Sequence, residues 1–119
     1  MGDLTKHFSR WEFKCSCGCD YDRVQIEFIE RLQKVREKFG PLTINSGCRC
    51  EPHNRSIGGS PESSHLRGFA ADIRCPNSLL RFHLIRSLMQ AGFQRIGIGK
   101  EFLHVDMDPD KPQSRIWIY

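Results

Sequence analysis

The spacing of apolar residues predicts a long amphipathic helix within residues 20–40. One apolar stripe recurs at helical spacing through this segment, at Val24, Phe28, Leu32, Val35 and Phe39. Asp22 and Gln25 have the spacing of a capping box at its start, and Gly40 followed by Pro41 favours an end at that point. The segment is therefore predicted to cover a core with one of its faces.

The remaining periodic segments predict one further helix and several short strands. The second helix is expected from about Ser78 to Gln90, and Gly92 closes it. Alternating or small apolar residues predict strands at residues 42–45, 68–75, 95–99, 102–108 and 115–119. Residues 46–64 are rich in Gly, Ser and Pro and are expected to form a long loop. Such loops are uncommon in compact domains unless they have a function.

This order of elements predicts an α+β fold, in which two main helices pack on one face of an antiparallel sheet. The chain has 119 residues, of which 39% are hydrophobic and 27% are charged. Those values are typical of one soluble domain with a single modest core, which we assign to residues 1–119. We expect a monomer.

Charge and hydropathy narrow the range of partners. No apolar run approaches the roughly 18 to 20 residues that span a bilayer, and the N-terminal stretch MGDLTKHFSRWEFKCSC lacks a signal-peptide pattern. We therefore expect a chain made in the cytoplasm without a membrane partner, released only by lysis or as part of a larger particle. The net charge of +4 is spread along the sequence, which argues against a nucleic-acid partner.

Six cysteines are a high count for this length, and they lie at Cys15, Cys17, Cys19, Cys48, Cys50 and Cys75. The spacing C-x-C-x-C differs from the C-x-x-C pair of common zinc knuckles. On a strand, such alternate cysteines would point the same way, which makes a local bridge awkward. We favour a structural role, either as buried thiols or as a bridge between the 15–19 cluster and the 48–50 pair. A second structural zinc is the alternative.

The segment FLHVDMD carries polar side chains on one face of a predicted strand. Because side chains alternate along a strand, His104 and Asp106 share the face opposite the apolar residues between them. Asp72 follows a run of small residues, and a buried carboxylate there needs a partner. These groups can be explained as polar residues that find water or a neighbour, or as ligands of a metal.

Two histidines and an aspartate form a suitable three-ligand set for a catalytic zinc, which keeps a further position for water. His65 and His104 both flank strands and stand beside acidic or small-residue motifs. His83 falls in the middle of a predicted helix and His7 lies near the N-terminus, so both are expected to be packing or surface residues. The residues alone leave the metal and the plain polar interpretation open.

A longer motif resembles a known family. The order Ser63-x-His65-x-x-Gly68-x-Ala70-x-Asp72, preceded by INSGCRC and followed by FLHVD, is similar to that of the zinc D-Ala-D-Ala carboxypeptidases. That family includes phage L-alanyl-D-glutamate endopeptidases and shares its fold with the Hedgehog signalling domain. The similarity covers nearly the whole chain and is greatest to small, single-domain members.

The resemblance implies a ligand set and a set of supporting residues. One zinc ion is expected at the matching positions, His65, Asp72 and His104. Ser63 matches the motif serine, a hydrogen-bonding support at the substrate side. Arg49 matches an arginine that faces the substrate carbonyl or terminal carboxylate, a role that suits a planar and permanently charged guanidinium. Many relatives have a tyrosine at the position of Cys48, so an aromatic contact is missing here.

The general base has two candidates. Several relatives carry a catalytic carboxylate three residues before the last histidine, which corresponds to Glu101. On a regular strand, however, Glu101 points away from His104. Asp106 shares the face of His104 and matches the H-x-D form of small members, so we give it slight preference.

The function implied by the resemblance is hydrolysis of a peptide bond in bacterial peptidoglycan, with a stem peptide as substrate. Carboxypeptidase and endopeptidase activities both fit the sequence, as do a phage and a host origin. The alternative is a non-catalytic zinc-binding module on the same fold. A carboxylate able to act as a base distinguishes the enzyme from the module, and the chain offers two.

Overall fold

The computed structural model describes residues 2–19 and 22–119. Its helices are α1 (Ile26–Phe39), α2 (Glu51–Ser56) and α3 (Ser78–Gln90), with short 3-10 helices at Arg10–Phe13 and Ser64–Arg67. Its strands are β1 (Ile44–Ser46), β2 (Ala70–Arg74), β3 (Arg95–Ile98), β4 (Phe102–Asp106) and β5 (Arg115–Ile118). Within the described residues, none of the helices is long and apolar enough to cross a membrane.

The five strands form one sheet in the order β1-β2-β4-β3-β5. The β1–β2, β2–β4 and β3–β4 pairs are antiparallel, whereas β3 and β5 are parallel. The predicted α+β class is confirmed, but the sheet is mixed rather than wholly antiparallel. The reason lies in residues 107–114, which carry the chain from the end of β4 past β3, so that β5 starts beside Arg95 and runs in the direction of β3.

The core lies between one face of the sheet and the pair α1 and α3. Helix α1 buries the predicted apolar stripe, including Phe28, Leu32 and Val35, and α3 contributes Leu84 and Leu88. The strands supply small and branched residues from alternate positions, namely Ala71, Ile73, Ile96, Leu103 and Val105. Burial of each large apolar side chain contributes about 1.5–3 kcal/mol to folding. Because side chains alternate along each strand, Asp72 and His104 lie on the other face of the sheet, away from the helices.

Helix α1 begins later than the sequence pattern predicts. Gln25 is its N-cap residue and makes no side-chain cap hydrogen bond. Instead, its Nε2 donates to the carbonyl of Arg67 at 3.1 Å, and its backbone N–H donates to Gly68 O at 2.9 Å. The predicted capping box of Asp22 and Gln25 is therefore wrong, because Gln25 binds a distant segment of the chain. Residues 20 and 21 of the predicted helix lie outside the described residues.

The segment 46–64 is more ordered than the predicted loop. It contains α2, which has a proline in its first turn, as helix starts favour. Asn54 is buried and organises the segment: its Nδ2 donates to Ser60 O at 2.7 Å and its Oδ1 accepts from Arg49 Nη1 at 2.9 Å. A Cβ at Gly59 would lie 2.1 Å from Asn54 Oδ1. The glycine therefore permits the tight packing of this segment.

Gly68 has a conformation and a contact that both require glycine. Its φ is +76°, and an added Cβ would lie 2.0 Å from the carbonyl oxygen of Arg23. We expect Gly68→Ala to lower the free energy of unfolding by clearly more than the ~1–2 kcal/mol of a left-handed backbone alone. Chemical denaturation measures the change.

Gly58→Ala is the matched control for this prediction. Gly58 has a similar φ of +74°, but no atom lies within 4 Å of the position that its Cβ would take. Equal losses for the two variants would show that the contact with Arg23 contributes nothing.

Candidate metal centre

Strand pairing brings two polar residues together on the face of the sheet opposite the core. In the β2–β4 ladder, Asp72 lies directly opposite His104. On the other side of β4, the position paired with His104 is Gly97 of β3. Because residues opposite one another point to the same side, Asp72 and His104 meet on this face of the sheet.

The third residue comes from the segment before β2. His65 lies in the 3-10 helix Ser64–Arg67, which Ser63 begins: its Oγ accepts a hydrogen bond from the His65 backbone N–H at 3.3 Å. Gly68 ends this helix in a left-handed conformation and turns the chain into β2. The compact helix thus places the His65 ring over Asp72.

The three side chains have the geometry of a metal-binding group. Asp72 Oδ1 lies 3.3 Å from His65 Nε2 and 3.0 Å from His104 Nδ1, and one ligand atom of each residue lies within 4.8 Å of the others. Tetrahedral zinc with bonds of ~2.0–2.1 Å has ligand atoms about 3.3 Å apart. His65 and His104 are buried, and Asp72 is partly exposed. The donor set therefore fits zinc.

The other nitrogen of each imidazole is held by an acceptor. His65 Nδ1 donates to Gly47 O at 2.6 Å, and His104 Nε2 donates to Asp106 Oδ2 at 2.7 Å. A carbonyl and an ionised carboxylate can only accept, so these two nitrogens carry the hydrogen atoms. His65 Nε2 and His104 Nδ1 are therefore the atoms available to a metal, which is the usual arrangement of ligand histidines.

The carboxylate of Asp106 is itself fully engaged. Asp106 is 1% exposed, and its Oδ1 accepts from Arg95 Nε at 2.8 Å and from the Asp108 backbone N–H at 3.1 Å. The Arg95 guanidinium also stacks on Trp117, with its carbon 4.9 Å from the ring centroid. This chain of contacts fixes the orientation of the His104 ring.

Asp108 extends the same network to Ser64, the residue before His65. It is completely buried, and it accepts hydrogen bonds from Ser64 Oγ at 2.8 Å and from the Arg67 guanidinium. Lys111 Nζ lies 3.0 Å from Ser64 Oγ. Sequence analysis missed this residue, although its signal was present: Asp108 continues the alternation of His104 and Asp106 along the chain.

The close contacts change the proton affinities of the central groups. Burial is the largest influence on Asp72 and acts to raise its pKa, but hydrogen bonds from His104 and His65 outweigh it and hold the pKa well below its usual range. Burial acts to lower the pKa of His104, whereas its hydrogen bonds to Asp106 and Asp72 raise it. The net effect is a raised pKa of His104 and an ionised Asp72 carboxylate, the form that binds a cation. A metal bound here would replace the protons that His65 Nε2 and His104 Nδ1 direct at Asp72.

The triad lies in a cavity of about 310 Å³. Arg49, Ser63 and Lys111 contribute polar groups to its lining. The aromatic rings of Phe102, Trp117 and Tyr119 also line the cavity. A Cβ at Gly97 would lie 2.6 Å from atoms of the Trp117 and Tyr119 rings, so a glycine is needed for the two rings to pack there. Sequence analysis treated RIWIY only as a strand and missed these aromatic side chains.

Comparison with known families decides the classification. The model of the peptidase M15 family matches residues 6–108, which include the triad and every supporting residue from Gly47 to Asp108. The chain belongs to the peptidase M15 family. A search of curated proteins gave no match. Family membership confirms the resemblance in the sequence and indicates a zinc-dependent metallopeptidase.

The two candidate bases of this M15 chain occupy very different places. Asp106 lies on the face of His104, as strand alternation predicts, but it contacts the ring nitrogen that points away from Asp72. Glu101 is exposed in the tight β3–β4 turn, where Gly99 N donates to Phe102 O at 2.9 Å. The structure does not bring Glu101 into contact with the triad, although the adjacent Phe102 lines the cavity.

Arg49 of the M15 site is close to the triad and firmly held. Its backbone N–H donates to His65 O at 3.0 Å, and its Nη1 donates to Asn54 Oδ1 at 2.9 Å. Arg49 also lines the cavity that contains the triad. Its function in substrate binding, like that of Ser63, stays a prediction.

The cysteines are separate from the triad. All six lie within the described residues and are free thiols, so the bridge considered between the 15–19 cluster and the 48–50 pair is not formed. Cys48 and Cys75 are buried, and burial raises the pKa of the Cys48 thiol to about 12. The other four thiols, Cys15, Cys17, Cys19 and Cys50, form a group of their own.

Loss of a ligand histidine should remove the metal of the M15 site. We expect His65→Ala and His104→Ala each to lose one zinc equivalent per chain. Two remaining protein ligands bind zinc too weakly to retain it when the protein is dialysed against a chelator. Elemental analysis of the purified variants measures the loss. His83→Ala, which removes a half-buried helix residue outside the triad, should keep the wild-type content. Full zinc retention in both ligand variants would contradict the assignment.

Proposed function

We propose that the chain hydrolyses a peptide bond in the stem peptide of bacterial peptidoglycan. The observation that carries the proposal is the convergence of His65 Nε2, Asp72 Oδ1 and His104 Nδ1 at the floor of an open cavity in an M15 peptidase chain. Zinc in such a site supplies Lewis-acid chemistry, which polarises a carbonyl and acidifies water. The chain's own residues then have to orient the ligands, bind the peptide and move a proton.

Ligand orientation is the task of the groups behind the two imidazoles. Gly47 O and Asp106 Oδ2 fix the ring planes and the tautomers of His65 and His104. Arg95 holds Asp106 in turn. Such partners typically change metal affinity by 10- to 100-fold when they are removed. We therefore assign Asp106 a positioning role.

Substrate binding is assigned to Arg49 and to the aromatic wall of the cavity, which consists of Phe102, Trp117 and Tyr119. The Asn54 side chain holds one guanidinium nitrogen of Arg49, which leaves the remaining N–H groups to bind a peptide carbonyl or a terminal carboxylate. Trp117 and Tyr119 offer flat apolar surfaces across the same cavity, 5.6 and 6.3 Å from the His104 ring centroid. A peptide backbone with small side chains suits a cleft that has one cationic and one aromatic side.

Proton transfer is assigned to Glu101 in preference to Asp106. Both carboxylate oxygens of Asp106 already accept hydrogen bonds from His104, Arg95 or the backbone, on the side of the imidazole away from Asp72. Glu101 is exposed in the turn before β4 and directly precedes Phe102, which lines the cavity. Catalytic hydrogen bonds often form only when substrate is bound, and we assign this behaviour to Glu101.

Two substitutions separate these roles. We expect Glu101→Gln to lower the hydrolysis rate by about 10²- to 10⁴-fold with zinc affinity unchanged, as for a general base. Asp106→Ala should weaken zinc binding by about 10- to 100-fold, and excess zinc should restore much of its activity. The rates are compared at equal zinc occupancy. An inactive, zinc-saturated Asp106→Ala beside an active Glu101→Gln would make Asp106 the base.

The reaction itself is tested on isolated cell walls. We expect the zinc-loaded protein to release peptide fragments from purified sacculi, and mass spectrometry of the new termini identifies the bond. Loss of a terminal D-alanine indicates a carboxypeptidase, whereas a new stem-peptide N-terminus indicates an endopeptidase. The His104→Ala variant is the matched control. Because this substrate lies outside the cytoplasm, the proposal includes release by lysis or delivery in a larger particle.

The second candidate, a non-catalytic zinc module on the same fold, predicts a different result. Such a module would bind sacculi or peptides through Arg49 and the aromatic wall without releasing fragments. Unchanged sacculi after incubation with fully zinc-loaded protein would favour it.

A further inference from the structure

A second group of metal-ligating side chains lies outside the triad. Cys15, Cys17 and Cys19 come from the segment after the first 3-10 helix, and Cys50 is the N-cap residue of α2. The four sulfur atoms all lie within 4.8 Å of one another. Three of them come from one short stretch of chain and the fourth from 31 or more positions later, so the fold, and not only the local sequence, assembles the group.

A turn explains how alternate cysteines converge. Residues 15–19 do not form a strand, on which every second side chain would keep the same direction and a spacing of nearly 7 Å. Gly18 has a φ of +89°, and its backbone N–H contacts Cys15 O at 3.5 Å. The chain therefore curls around the sulfur atoms. Cysteines at alternate positions can therefore direct their sulfur atoms to one point, which they could not do on a regular strand.

The distances between the sulfur atoms distinguish the chemistries available to them. Cys15 Sγ lies 3.5 Å from Cys17 Sγ and 3.7 Å from Cys50 Sγ, and the Cys17–Cys50 distance is 3.6 Å. A disulfide requires ~2.05 Å. Tetrahedral zinc with Zn–S bonds of ~2.3 Å places neighbouring sulfur atoms about 3.8 Å apart. All three of these sulfur–sulfur distances lie within 0.3 Å of that value.

The surroundings also suit a thiolate-bound metal. The Cys50 backbone N–H donates to Cys15 Sγ at 3.4 Å, and such bonds stabilise charge on a coordinating sulfur. Four soft ligands in a tetrahedral arrangement are typical of zinc or a single iron. The group is too compact to surround a multi-iron cluster.

We propose that Cys15, Cys17, Cys19 and Cys50 bind one structural zinc ion in a closed, four-coordinate site. The total is then two zinc ions per chain, where the sequence resemblance implies one. A closed site has no position for a substrate, so this ion stabilises the fold without taking part in hydrolysis.

The position of the site explains what it stabilises. Cys50 directly follows Arg49 and starts α2, whose Asn54 binds the Arg49 side chain. The neighbouring Cys48 N–H donates to Phe13 O at 2.8 Å. A metal shared by the 15–19 segment and Cys50 therefore fastens the N-terminal segment to one wall of the cavity. The proposal does not depend on the peptidase activity.

Metal counting tests the proposal directly. Wild-type protein, purified under reducing conditions with zinc present, should carry two zinc ions per chain by native mass spectrometry. His104→Ala should carry one, Cys17→Ser with Cys19→Ser should carry one, and the combination of all three should carry none. Because Cys17 and Cys19 are exposed, their replacement leaves the buried core intact.

Cys75→Ala is the matched control, since Cys75 is a buried thiol outside the group, and it should keep two zinc ions. Cobalt substitution gives a second, activity-independent measurement: the wild type and His104→Ala should show strong thiolate-to-cobalt absorption that the Cys17→Ser, Cys19→Ser variant lacks. One zinc in the wild type and none in His104→Ala would overturn the proposal. So would a wild-type mass that shows disulfides under the same conditions.

Discussion

The antiparallel pairing of β2 with β4 is the interaction on which the rest of the site depends. It sets Asp72 opposite His104 on one face and Ile73 opposite Leu103 on the other. The same register therefore positions both the candidate metal ligands and the core residues, and a slip by one residue would exchange the two faces. The register is strongly determined, because a shift by one residue would bury the carboxylate of Asp72 against α1 and α3. Core packing in this protein is thus also ligand positioning.

Much of the fold was predictable because its elements have strong local signals. The second helix has the bounds that the sequence predicts, and the strand around His104 shows the expected alternation of buried apolar and site-facing residues. The start of α1 was not predictable, because Gln25 binds backbone groups at residues 67 and 68 that are remote in sequence. The parallel pairing of β5 is likewise a long-range contact without a local signal.

The candidate site divides in the same way. The motif around His65 and Asp72 indicates candidate ligands, because its spacing is tied to the short 3-10 helix and the turn at Gly68. The groups behind the two histidines come from separate parts of the chain: the carbonyl of Gly47 holds His65, and Asp106 holds His104. Arg95 and the Asp108 backbone hold Asp106 in turn. A carbonyl oxygen has no residue-type signal, and an arginine in a strand is usually a surface residue. Three-dimensional contacts were needed to assign them.

The segment from Gly47 to Asn54 joins several of these contacts within eight positions. Gly47 packs so closely on Phe13 that an added Cβ would lie 2.7 Å from its Cα, while its carbonyl holds His65. Arg49 contacts His65 through its backbone and Asn54 through its side chain. Energies of neighbouring substitutions that share partners are not additive. This segment should therefore change in evolution as a block, in which a replacement at one position is tolerated only after a compensating replacement at another.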